Sequence, residues 1–107
     1  MHYLLIYDVA DDYMERRSMF RTEHLQLAQE FFDRGLLQLG GALADPVDQA
    51  VLLFQADDTK PIEEFVARDP YVANGLVRTH RIRTWTTVVG KDASNPVLVP
   101  KRDQRDQ

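Results

Sequence analysis

A chain of 107 residues is long enough for one domain and too short for two, since domains cluster around ~100–150 residues. It has no cysteine, which excludes disulfides, thiolate metal sites and cysteine nucleophiles and agrees with a reducing, cytoplasmic setting, the expected location. Thirteen Lys and Arg against seventeen Asp and Glu give a formal net charge of −4, the wrong sign for a domain that lives on phosphate backbones, so no nucleic acid is expected as a partner.

Residues 3–7, Tyr-Leu-Leu-Ile-Tyr, are apolar and aromatic without a helix breaker and read as a short, buried, central first strand. No basic n-region precedes them and no apolar stretch approaches ~20 residues, so neither a targeting signal nor a membrane partner is expected. Asp11, Asp12 and Glu15-Arg16-Arg17 form a polar, capping-prone stretch read as a loop or loose turn before the main helix. That helix is expected from about Thr22 to just before Gly35. Phe20, His24, Leu27, Ala28, Phe31 and Phe32 recur there at three- and four-residue spacing and share its inner face, while Glu23, Gln26, Gln29, Glu30 and Asp33 lie outside. Gly35 suits the left-handed position that ends it.

Leu36–Leu39 and Val51–Phe54 are short apolar runs separated by Gly40-Gly41 and by the polar segment 45–49, the pattern of an antiparallel pair joined by a turn. Thr59 as a hydroxyl cap, Pro61 in the first turn and the acids Glu63 and Glu64 predict a second helix, with Ile62, Phe65 and Val66 facing inward. It should stop at Asp69, because a residue before proline is pushed away from helical angles. From Arg78 to Val89 threonine, isoleucine, valine and tryptophan dominate and predict a long last strand.

The order βαββαβ fits an α+β, ferredoxin-like half-barrel with its helices on one face of an antiparallel sheet. The other face needs a cover, from a second copy of the chain or from the tail after Gly90, which carries the small apolar patch Val97-Leu98-Val99. The expectation is a homodimer with two sheets face to face, a domain over residues 1–90, and a tail over 91–107 that is disordered from about Lys101.

Several strings point one way: the Tyr-Leu-Leu-Ile-Tyr-Asp strand, Arg17 and Arg21 ahead of His24-Leu25, Gly35-Leu36-Leu37 with Gly41, then Asp69-Pro70-Tyr71-Val72-Ala73 and Gly75. In order and spacing they resemble the YCII-related family from about Met1 to Val89, most specifically in the Asp-Pro-Tyr-Val string. The resemblance implies a small dimeric α+β barrel whose catalytic pair, a helix histidine and the aspartate before proline, falls on His24 and Asp69. One branch of that family removes chloride from a chlorinated hydroxyhydroquinone, and most members have no assigned reaction. Two positions depart from the pattern: Gly41-Ala42 replaces a frequent Gly-Pro, and Thr84 beside Trp85 replaces a frequent proline. Both touch the cleft wall and put substrate choice, more than fold, in question.

A histidine against a carboxylate has its tautomer and ring orientation fixed, and the carboxylate stabilises the protonated ring, which makes a general acid–base. Ser18 and Ser94 sit in no activating context, and Gly40-Gly41 alone is a weak phosphate signal. Proton transfer is what remains: a cofactor-independent lyase or isomerase for a small aromatic or lactone-like molecule, with Arg17 or Arg21 balancing negative charge and Tyr71 and Trp85 lining the cleft as substrate-binding residues. Each assignment has a plainer competitor. A histidine on an apolar helix face is more often a satisfied core residue, Asp69 could simply cap the turn after Pro70, and Tyr71 and Trp85 could be core. His2, His24 and His80 lack the spacing of a metal set, so no metal is expected. Arg78, Arg81 and Arg83 read as the solvated or interface side of the last strand, with attraction of an anionic ligand as the alternative. The rival functions are a non-catalytic module that binds a small molecule in the same cleft, and an accessory domain acting through protein contacts.

Overall fold

In the computed structural model, which describes residues 1–98, the first apolar run becomes β1 (His2–Val9), with Tyr3, Leu5, Tyr7 and Val9 on the core side. It is central, because β3 (Gln49–Gln55) pairs with it on one edge and β4 (Val77–Trp85) on the other, both antiparallel. β2 (Leu37–Ala42) lies outside β3, which completes a four-stranded antiparallel sheet of order β2-β3-β1-β4. With α1 (Tyr13–Asp33) between β1 and β2, and α2 (Lys60–Arg68) and the one-turn α3 (Pro70–Ala73) between β3 and β4, the fold is α+β and ferredoxin-like, as expected.

Three boundaries differ from expectation. Helix α1 begins at Tyr13, not near Thr22. The polar stretch is helical because Glu and Arg are good helix formers, and one buried anchor, Tyr13, is enough to dock turns that otherwise face solvent. Gly40 and Gly41 are not a turn but lie within β2, paired with Leu52 and Val51. A Cβ added at Gly40 would sit 3.3 Å from the Leu52 side chain, so a small residue suits this close approach. β4 ends at Trp85 instead of Val89. Beyond it the chain turns back, with Asn95 and Val97 amides bonded to the carbonyls of Thr87 and Val88. The disorder expected from Lys101 lies outside the described residues.

Within α1 the buried stripe is Tyr13, Leu27 and Phe31. Phe32, expected inside, is 56% exposed, since with Phe31 centred on the core its neighbour points ~100° away. The second helix begins as expected at Lys60 after Thr59, yet the Thr59 hydroxyl donates to Glu63 (2.9 Å), and the Lys60 amide is capped by the Asp58 carboxylate (2.9 Å). Helices and sheet meet on Phe31, Phe54 and Phe65, whose rings lie 5.2–6.5 Å apart in edge-on pairs. Leu5, Ile62 and Leu76 are fully buried with them.

Truncating Phe65, where both other rings and α2 converge, should cost ~3–5 kcal/mol as Phe65→Ala. Urea denaturation checks this; a loss below ~1 kcal/mol would mean that the cluster relaxes around the cavity instead of supporting the helices.

Candidate active site

The break between α2 and α3 is made by Asp69. Pro70 holds it in an extended conformation (φ −74°, ψ 118°), which ends α2 and turns the carboxylate back over the new helix start. There Oδ1 accepts the Tyr71 backbone N–H at 2.9 Å, so the capping role is real. The same Oδ1 lies 2.8 Å from Nδ1 of His24, three turns into α1, and Oδ2 accepts the Tyr7 hydroxyl from β1 at 2.7 Å. Capping and pairing are therefore one arrangement. Asp69 is fully buried, and donors from three elements meet its two oxygens.

Because a carboxylate offers only acceptors, the proton on Nδ1 is assigned to the bond with Asp69, and Nε2 carries the lone pair of the neutral ring. Among the described residues Nε2 has no protein hydrogen-bond partner. The His24 ring stacks on Tyr71, centroids 3.9 Å apart and planes 8° from parallel, while Phe65 meets it edge-on at 6.3 Å. His24 keeps 15% of its side-chain surface open, on a cleft of about 200 Å³ between α1 and the β2–β3 half of the sheet. Tyr7, Tyr13, Arg17, Arg21 and Tyr71 also line it, with Leu25, Ala28, Leu37 and Leu52 as the apolar wall and Gly40 and Gly41 along β2.

Of the residues singled out from sequence, His24, Asp69, Arg17, Arg21 and Tyr71 are brought together here. Trp85 is not: it pairs with His2, whose side chain alternates away from Tyr3, Leu5 and Tyr7, and so lies on the opposite face of the sheet, 47% exposed. Tyr7, read from the sequence only as part of the buried first strand, joins the site residues. Its signal was available, since a buried tyrosine hydroxyl seeks a hydrogen-bond partner. Burial, then the Asp69 charge and the bond to it, push the Tyr7 phenol far above its ordinary range, so Tyr7 remains a donor. Tyr13 supports the entrance, edge-on to Tyr71 at 5.8 Å with the Arg17 guanidinium 5.7 Å above its ring. Among the described residues no three His, Asp or Glu side chains converge as a metal set, and no helix is long and apolar enough to cross a membrane.

An antiparallel sheet covered on one face by helices, with a helix histidine bonded to a buried aspartate in a cleft on that face, defines a ferredoxin-like α+β domain with a His–Asp site. The YCII-related domain model matches residues 1–86, and the chain belongs to the YCII-related family. Among solved structures it is similar to 5-chloro-2-hydroxyhydroquinone dehydrochlorinase (TftG) from Burkholderia phenoliruptrix AC1100, in complex with 2,5-dihydroxybenzoquinone. The TM-score is 0.68 at 18% identity over 81% of this chain and 95% of that one. It is also similar to protein Atu4242 from Agrobacterium tumefaciens, with TM-score 0.54 and 12% identity over 88% of this chain and 98% of that one. Both likenesses concern the fold. No curated protein matches the chain.

Tyr7→Phe removes one of the donors to a buried carboxylate and should destabilise by ~1–3 kcal/mol. Since the Tyr7 phenol is raised in the folded state, the unfolded chain releases that proton first as pH increases. Its contribution is fully present below pH ~10 and is lost above it. Urea denaturation at about pH 8 and about pH 11 should show wild-type stability falling more steeply than that of Tyr7→Phe; parallel losses would separate Tyr7 from this effect.

Proposed function

We propose that this YCII-related protein is a cofactor-independent lyase or isomerase that moves a proton on a small organic molecule, aromatic or lactone-like, in the cleft. The observation that carries the reading is the 2.8 Å bond between His24 Nδ1 and a fully buried Asp69. Burying a carboxylate to hold one ring nitrogen leaves the other nitrogen, at a cavity, oriented for proton transfer. His24 takes or gives the proton, Asp69 orients the ring and stabilises it when charged, and Arg17 or Arg21 balances negative charge that develops on the substrate. At about 200 Å³ the cleft lies below the ~300–1,000 Å³ of ordinary ligand pockets, which favours a small substrate. The lyase class is also that of the structural neighbour, a dehydrochlorinase.

In this reading the protein works as a homodimer through the sheet face away from the helices, which the segment after β4 covers only at its His2 end. Leu4, Ile6, Val51 and Leu53 alternate onto that face and stay partly exposed, Leu39 is 73% exposed, and Trp85 and Arg83 extend it along β4. Val97 and Leu98 remain exposed and do not cover it. Trp85 then belongs to the subunit contact, not to the substrate. The rival, a carrier using the same cleft without turnover, needs the shape of the pocket but no oriented ring.

A turnover screen of small enolisable, aromatic and lactone compounds tests the enzyme. His24→Ala should lower kcat/KM by ~10²–10⁴-fold with the fold retained; unchanged turnover would remove His24 from the chemistry, and ligands bound but never converted would favour the carrier. Sedimentation velocity at micromolar concentration should give a dimer for wild type and a monomer for Leu53→Glu. A monomeric wild type would refute the assembly.

A further inference from the structure

The charge of the cleft is one-sided. Among the described residues Arg17 and Arg21 line it and no Asp or Glu does, and neither guanidinium makes a salt bridge. The nearby carboxylate, Asp69, sits behind His24 and is already committed to His24, Tyr7 and the Tyr71 amide. Elsewhere on this helix, at its end and on α2, Arg16, Arg34 and Arg68 all have acidic partners. Among the described residues Arg83 on β4 also lacks an acidic partner, but Arg17 and Arg21 differ from it in sharing one cavity.

A second, independent observation is the Tyr71 hydroxyl. Tyr71 lines the cleft and is 2% exposed, and its hydroxyl, closed off from solvent, has no hydrogen-bond partner among the described residues, so a ligand in the cleft meets it only when the side chains around it move aside. Such an orphan is destabilising unless something completes it. Burial, then Tyr13, raise the Tyr71 phenol above its ordinary value, while Arg21 and Arg17 oppose the rise. The hydroxyl therefore keeps its proton, and Tyr71, Arg17 and Arg21 line the same cleft. A donor without an acceptor, beside two cations without an anion, is the complement of an oxygen that carries negative charge.

We propose that the cleft takes a small organic anion, a carboxylate or a phenolate, whose charged oxygen is held by the Tyr71 hydroxyl and the Arg17 and Arg21 guanidiniums while its apolar body lies against Leu25, Ala28, Leu37 and Leu52. This rests on the cleft being the working site, but it requires no turnover. The bound oxygen lies beside the His24 ring on which Tyr71 stacks, so one ligand meets both the anion holder and the proton carrier.

Benzoate and 4-nitrophenolate are the probes, with benzyl alcohol and nitrobenzene as their neutral counterparts, and affinity is read by calorimetric titration at low and high salt. Wild type should bind at least one anion in preference to its neutral counterpart, more weakly at high salt. Benzoate alone would assign a carboxylate ligand, 4-nitrophenolate alone a phenolate. Tyr71→Phe should keep the circular dichroism spectrum and an equal or higher Tm, because it removes the orphan, and should weaken anion binding about tenfold or more. Arg21→Gln, at an exposed position, should weaken it and flatten the salt dependence. Equal affinity for neutral and charged probes, binding of neither anion, or undiminished anion binding in a folded Tyr71→Phe would each overturn the proposal. Failure of the enzyme reading looks different: the anions bind with these dependences, yet nothing is converted and His24→Ala changes no rate.

Discussion

Everything in the site depends on one carboxylate placed where water does not reach. A buried charge is tolerated only when hydrogen bonds replace its hydration. Asp69 gets them from β1, α1 and the first turn of α3, through Tyr7, His24 and the Tyr71 amide. The bonds tie the central strand to both helical segments, so the group that orients the histidine also fastens the helix layer to the sheet. Removing one donor leaves a buried acceptor short, which costs more than the bond itself contributed. The plain structural roles weighed for Asp69 and His24 are thereby not alternatives to a working role. They are the means by which the ring is held.

This arrangement was partly legible in the chain. The Asp-Pro-Tyr string dictates a helix end and a cap by backbone rules alone, and the position of His24 on the inner stripe of α1 follows from spacing. What brings the two within 2.8 Å is the crossing of α1 over α3, which no local rule contains; the family resemblance supplied it. Tyr7 is missed because a continuous apolar run marks a buried tyrosine without saying what its hydroxyl meets. Trp85 was misplaced for a related reason. Ile82 and Trp85 have opposite parity on β4, so only one can face the helices, and the register with β1 selects Ile82 by pairing it with Leu5. Sparse apolar residues on that strand leave the choice to its neighbour. The early start of α1 and the strand character of Gly40-Gly41 were likewise decided by docking, which overrides polarity and propensity.

The sheet separates two kinds of surface. On the helix side, Gly40, Gly41 and Ala28 take up little space, and the cleft exists because α1 does not close onto β2 there. On the other side, alternate residues of the same strands leave Leu4, Ile6, Val51 and Leu53 partly exposed, while His2 on that face is buried and bonded to Thr87 after β4. A one-residue slip of β3 against β1 would exchange these sets, so the aromatic cluster of Phe31, Phe54 and Phe65 protects the site as well as the core by fixing the register.

Burial alone cannot tell a structural His–Asp pair from a working one, since both need the same carboxylate and the same donors. The difference lies in what the surroundings leave undone. In a purely structural pair the outer ring nitrogen would meet a carbonyl and neighbouring hydroxyls would be satisfied, because nothing is gained by leaving buried polar groups open. Among the described residues the inner nitrogen of His24 is fixed while the outer one is free, the tyrosine stacked on it, Tyr71, has an unpartnered hydroxyl, and two arginines at the same cavity have no acidic neighbour in it. Complete hydrogen bonding behind the ring and open groups beside it support the proposed working role over a purely structural one.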